Sequence, residues 1–189
     1  MRFTDSVVAL SPAVVTAAFV ILFVGAGMAM RVDPFGGAEW ATTYSVVMLL
    51  MLVPLMLWHY SLYRAASDRG FDIVGNAGQR AIFFLLTVGG MLVHLAIFPI
   101  WMRTPPSSSL YAKLLQADAT ATIVACISYF VAIWSAANAL VRFEERERSP
   151  AVHKTLGTWF LELYLPIGIW FIYPRIRRLL EAPIPVRPQ

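Results

Sequence analysis

The chain has 189 residues, 59% of them hydrophobic and 14% charged, with a mean hydropathy of +0.67. A water-soluble domain of this size carries about a quarter charged residues, so no separate soluble domain fits and 1–189 is expected to form a single membrane domain. The net charge of +4 is what basic residues beside membrane spans produce, through topology and contact with anionic lipids; it calls for no nucleic-acid partner.

Asp, Glu, Lys and Arg are absent from 6–30, 40–63, 81–102 and 119–141, windows of 22 to 25 residues. At ~1.5 Å per residue a helix of that length crosses a hydrocarbon core of ~30 Å. The first helix is expected over about 7–30, with Pro12 in its first turns, where a missing N–H costs little. Asp5 and the length of the run are unlike a cleavable signal, so this helix is expected to be retained. The link 31–39 carries turn chemistry in Asp33-Pro34-Phe35-Gly36-Gly37, and Trp40 suits an interface. The second helix is expected over about 41–63, kinked at Pro54 and ending in an aromatic belt of Trp58, His59, Tyr60 and Tyr63. The polar connector 64–80 contains Gly75-Asn76-Ala77-Gly78, which lacks the Lys and Ser/Thr of a phosphate loop.

The third helix is expected over about 81–102, with Gly89 and Gly90 near mid-span. Pro105-Pro106 stops it. Ser107 to Ser109 then cap a short helix through Leu110, Tyr111, Leu114 and Leu115, expected to lie on the membrane surface. The fourth helix is expected over about 119–141, capped by Asp118. Its Ala121, Ala125, Ser128, Ala132, Ser135 and Ala139 step by four or three, a stripe that lets another helix approach closely. That helix belongs either to this chain or to a membrane partner or second copy. The only cysteine, Cys126, allows no intramolecular disulfide. Arg142 to Arg148 continue the helix into water.

The segment 155–174 departs from the pattern, with Glu162, Pro166 and Gly168 inside it. Counting Lys and Arg decides how it lies. Five spans divide them eight to seven; four spans plus a C-terminal segment that returns divide them twelve to three. The positive-inside rule favours the second arrangement, with the N-terminus, 64–80 and everything after the fourth helix cytoplasmic. The expected fold class is therefore all-α: a membrane bundle of four transmembrane helices plus a re-entrant or interfacial C-terminal segment. The alternative is a fifth span kinked at Pro166, with Glu162 snorkelling. Within this segment, Ile167-Gly-Ile-Trp-Phe-Ile-Tyr-Pro-Arg-Ile-Arg-Arg-Leu179 resembles the closing segment of certain small, uncharacterised bacterial membrane proteins. The resemblance implies a multi-pass protein of the bacterial inner membrane and no activity.

Ionisable and polar groups at membrane depth are candidate sites by default. Met48 and Met51 are three apart, as are Met91 and His94, and all four lie at similar depth; thioether and imidazole suit Cu(I). The competing reading is gap-filling by Met and a His94 bond to a backbone carbonyl. Haem between His59 and His94 is disfavoured by a depth offset of ~14 Å. Asn138, Ser128, Ser135 and Thr122 suit interhelical hydrogen bonds. Glu162 is a proton-carrier candidate, or a partner of Arg175 or Lys154. No nucleophile–base motif, zinc signature or paired carboxylates stand out, so an enzyme is not expected. The leading expectation is an accessory or structural subunit packed against a larger membrane complex or itself. The alternatives are a small oligomeric transporter or channel using His94, Glu162 and Asn138, and a metal or redox protein.

Overall fold

A computed structural model describes residues 3–32, 38–69, 77–145 and 151–183. Among them every regular element is a helix: α1 (Phe3–Val8), α2 (Pro12–Val32), α3 (Ala38–Asp68), α4 (Ala77–Arg103), α5 (Ser109–Glu145), α6 (Val152–Leu163) and α7 (Leu165–Glu181). Three are long and apolar enough to cross a membrane: Ala41–Asp68, Ala81–Arg103 and Ser109–Glu145.

The first apolar window does not begin as one helix at residue 7. The chain turns after Val8, the Ser11 hydroxyl accepts the Val14 N–H at 3.4 Å, and Pro12 opens α2. Proline at the first helical position has the right φ and no N–H to leave unpaired. α3 continues through Pro54, and α4 through Pro99. The separate surface helix is absent. Ser108 caps as expected, accepting the Leu110 N–H at 3.2 Å, but the helix it starts is α5 itself, unbroken from Ser109 to Glu145. Asp118 is thus an interior position of a helix and caps nothing. Of the glycine-rich connector, 70–76 lie outside the described residues.

α3, α4 and α5 run up, down and up. The Arg103 guanidinium at the end of α4 donates to the Thr42 hydroxyl near the start of α3, at 3.4 Å. α4 and α5 cross at Gly90, where a Cβ would stand 2.8 Å from the Ala121 carbonyl oxygen and 2.9 Å from the Ala125 Cβ. Further along α5, Ala132, Ala136, Ala139 and Leu140 join one core with Trp58, Leu62, Tyr63, Ala65 and Ala66 of α3. The small-residue stripe is therefore occupied by helices of the same chain: Ala125, Ser128, Ala132, Ser135 and Ala139 are all buried without any partner chain. The aromatic belt is corrected too. Trp58, His59 and Tyr63 are buried in the core, because α6 and α7 close over α3 and α5.

The segment 155–174 is two helices, broken at Tyr164 (φ −99°, ψ 47°) just ahead of Pro166. Pro166 has no N–H to bond the Glu162 carbonyl and its ring crowds that carbonyl, so α6 does not continue through it, while the first turn of α7 needs no N–H there. α7 then packs on α6 so closely that a Cβ on Gly168 would stand 1.8 Å from the Leu161 carbonyl oxygen. Both outer ends of this helix pair are tied to the same end of the bundle. Lys154 of α6 pairs with Glu145 at the end of α5. Arg175 of α7 grips Glu144 with two 2.6 Å bonds. Arg69, just past α3, is buried and donates to Asp5 of α1 and to the carbonyls of Ala65, Leu180 and Ala182, at 2.9 to 3.3 Å. The turn between α6 and α7 reaches α2: the Thr16 hydroxyl donates to the Pro166 carbonyl at 3.0 Å and accepts the Trp170 N–H at 3.1 Å.

Candidate functional site

α6 carries Thr155, Thr158 and Glu162 on one buried face. Glu162 thereby arrives beside His59 of α3, with Oε2 at 3.9 Å from the imidazole Nε2; both side chains are 0% exposed. The imidazole is oriented by its own helix, because Nδ1 lies 2.9 Å from the Leu55 carbonyl oxygen. A carbonyl only accepts, so Nδ1 carries the hydrogen and Nε2 presents a lone pair to Glu162. The Trp58 and Tyr129 rings meet the imidazole edge-on, at 5.2 and 6.4 Å.

None of the facing polar atoms is hydrogen-bonded. His59 Nε2, both Glu162 carboxyl oxygens and the Thr155 hydroxyl are buried without a partner. This is an unusual condition. Most buried side-chain polar atoms find a partner, and an ionised carboxylate left bare in an apolar interior costs far more than any ordinary packing gain. The pair tolerates burial only as a neutral unit, with one proton on the carboxyl or on the imidazole. Neither expected partner of Glu162 holds it: Lys154 goes to Glu145, and Arg175 goes to Glu144 and to the Thr158 hydroxyl at 2.9 Å. Thr158 lies one helical turn from Glu162, so Arg175 stands between the buried carboxyl and the bundle end. Asn138, the third polar candidate, leaves its Oδ1 buried and unpaired on α5.

His94 enters a second polar centre. Its Nδ1 lies 2.8 Å from Asp118 Oδ1 and 3.3 Å from the Thr122 hydroxyl, and Trp101 Nε1 donates to Asp118 Oδ2 at 3.2 Å. Asp118 is 7% exposed. Tyr44 and Phe98 cover the imidazole, with ring centroids at 6.2 and 5.4 Å. Asp118 escapes a reading that treats it as a helix cap, yet the sequence holds a signal. With the α4–α5 turn at Pro105-Pro106, residues 94 and 118 are each twelve from position 106, and antiparallel helices bring such positions to one level.

Within the expected Cu(I) set, Met51 and His94 face different neighbours. Met51 lines an apolar cavity of about 220 Å³ with Val15, Phe19 and Trp58, on the α2 side of α3, whereas His94 faces α5. Met48 and Met91 are half-buried on α3 and α4. Among the described residues no three His, Cys, Asp or Glu side chains gather as metal ligands. His59 and His94 face different partners, so they share no haem iron. Comparison with family models, with curated proteins and with solved structures finds no match.

Proposed function

We propose that this is a small proton-coupled membrane transport protein, of four spanning helices and a re-entrant α6–α7 hairpin, which takes up and releases a proton inside the bilayer at Glu162 and His59. The observation that carries the reading is the bare carboxyl: 0% exposed, without a hydrogen bond, 3.9 Å from an imidazole lone pair. A structural ion pair would be closed and saturated. An open pair poised around one proton is what a carrier needs, and intramembrane carboxylates and histidines are the usual elements of proton relays.

The re-entrant arrangement is supported by the salt links that hold both outer ends of α6 and α7 at the Arg69 end of the bundle. Non-helical backbone at membrane depth is tolerated where protein covers it, and Thr16 and Trp170 engage the Tyr164–Pro166 turn. The twelve-to-three division of basic residues assigns that end to the cytoplasm, with the N-terminus there as well. The resemblance at 167–179 favours a bacterial inner membrane. An accessory or structural subunit is the other reading, supported by the scarcity of ionisable groups at depth, although the α5 stripe is already filled by neighbours within the chain; membrane lipid and a second copy are the partners that the exposed apolar faces admit.

The test is a pH-difference infrared spectrum of the purified protein. A carboxyl C=O band that responds to pH is expected, lost in Glu162→Gln and displaced in His59→Gln. A spectrum identical in Glu162→Gln and wild type overturns the reading.

A further inference from the structure

The two histidine–carboxylate centres share a design that the activity proposed above does not by itself require. In both, a protein oxygen fixes the Nδ1 hydrogen: the Leu55 carbonyl for His59 and the Asp118 carboxylate for His94. In both, Nε2 forms no hydrogen bond among the described residues. Trp101 holds the second oxygen of Asp118, so that carboxylate is an acceptor at both ends and is fixed by two side chains of α4. A carboxylate that secures one imidazole nitrogen leaves the other as the basic, reactive one.

The placement is symmetric. His59 is nine residues from the end of α3 at Asp68, and His94 is nine residues from the end of α4 at Arg103. Because α3 and α4 are antiparallel, each imidazole stands ~13 Å in from an opposite end of the bundle at ~1.5 Å per residue. α5 links the two centres on one face. Asp118 and Thr122 contact His94, Tyr129 contacts His59, and Ala125 lies between them in the same helical row. The separation along α5, from Asp118 to Tyr129, is ~16 Å. Midway, α4 and α5 meet so closely at Gly90 that there is no room for one methyl group against Ala121 and Ala125.

We infer that His94 and Asp118 form a second proton-binding site, serving the end of the bundle opposite to Glu162 and His59 and separated from them by the close-packed Gly90 crossing. The inference rests on the proton-carrier reading and adds the second site and its sidedness. The groups that face His94 are Tyr44 of α3, Trp101 of its own helix, and Asp118 and Thr122 of α5; the described structure brings no Lys, Arg or Glu to it. His94 Nε2 is therefore the atom at which this site would take up a proton, with Asp118 and Trp101 holding the ring from its Nδ1 side. A proton passing between the sites needs α4 and α5 to part at Gly90, which keeps the resting protein from leaking.

Nitrogen NMR of 15N-histidine-labelled protein in lipid tests this directly, because the chain has only His59, His94 and His153. His94, assigned through His94→Gln, is expected to show a protonated Nδ1 and a bare Nε2 at high pH. As pH falls Nε2 should gain a proton, and the Trp101 indole N–H should move with the same midpoint. The titration should persist in Glu162→Gln, since the crossing insulates the sites. In Asp118→Asn the Nδ1 preference should be lost. A His94 that keeps one protonation state throughout the pH series, or one protonated on Nε2 at high pH, overturns the second site. Either result leaves the infrared test of Glu162 standing, so failure of one proposal is distinct from failure of the other.

Discussion

At the scale of single residues, the arrangement is held by polar groups whose partners lie far away in sequence. Arg69 is the clearest case. Four of its five N–H groups serve one carboxylate and three carbonyls from α1, α3 and the end of α7, a use that suits a planar fork better than a lysine point charge. Arg69→Ala would leave Asp5 buried and unpaired, and breaking a buried pair in this way costs about 3–5 kcal/mol. The variant should melt at a clearly lower temperature in mild detergent, with Arg69→Lys in between. Arg64→Ala removes only the half-exposed i,i+4 pair with Asp68 and should lie within about 1 kcal/mol of wild type. An unchanged Arg69→Ala melt would refute the clamp. Sequence reading could mark Arg69 as a basic flank but not as a clamp, because its acceptors are backbone carbonyls, which every residue has. It could mark Glu162 as costly, because charge inside an apolar run is visible. It could not assign His59 as the partner: that pairing depends on how the hairpin folds back over α3.

At the scale of elements, hydropathy located the long helices and missed their joints. The charge-free windows at 40–63, 81–102 and 119–141 lie inside α3, α4 and α5, each of which runs beyond its window. Helices do not end where apolarity ends; Ser108 begins α5 well outside the apolar run, and α3 continues to Asp68. Pro166 did mark a real break, since it lacks the N–H that would bond the Glu162 carbonyl and its ring crowds that carbonyl. The close approach of α6 and α7 yields a paired prediction. Gly168→Ala would drive a methyl into the Leu161 carbonyl, whereas a Cβ on Gly157 meets nothing within 4 Å. Overpacking typically costs about 1–3 kcal/mol, while alanine in an open helical position is favoured over glycine by roughly 0.5–1 kcal/mol. Gly168→Ala should thus lower, and Gly157→Ala hold or raise, the melting temperature of the same protein. Equal melting of the two variants would mean that α6 and α7 do not cross at Gly168.

At the scale of the whole molecule, the account turns on a chain whose last two helices come back to the side they left. In a Cys126→Ala background, with the exposed thiol of α5 removed, Ser6→Cys and Glu181→Cys should both be shielded from an impermeant thiol reagent in intact cells and both react after lysis. Labelling of Glu181→Cys alone from outside would make the C-terminal segment a span and withdraw the re-entrant hairpin. The hairpin matters because it brings the Glu162 carboxyl to His59, and because it leaves Arg175, bound to Glu144, between that carboxyl and the Arg69 end of the bundle. The most direct measurement of the central claim is the charge displaced when protein-bearing membranes, adsorbed on a capacitive electrode, meet a pH jump. A proton that enters a site within the bilayer moves charge through part of the membrane without any turnover or substrate. In a His94→Gln background, which removes the second site, the protein should give a transient displacement, reduced at least tenfold by Glu162→Gln and preserved by Gly157→Ala. A transient undiminished by Glu162→Gln in that background would contradict proton binding at this site.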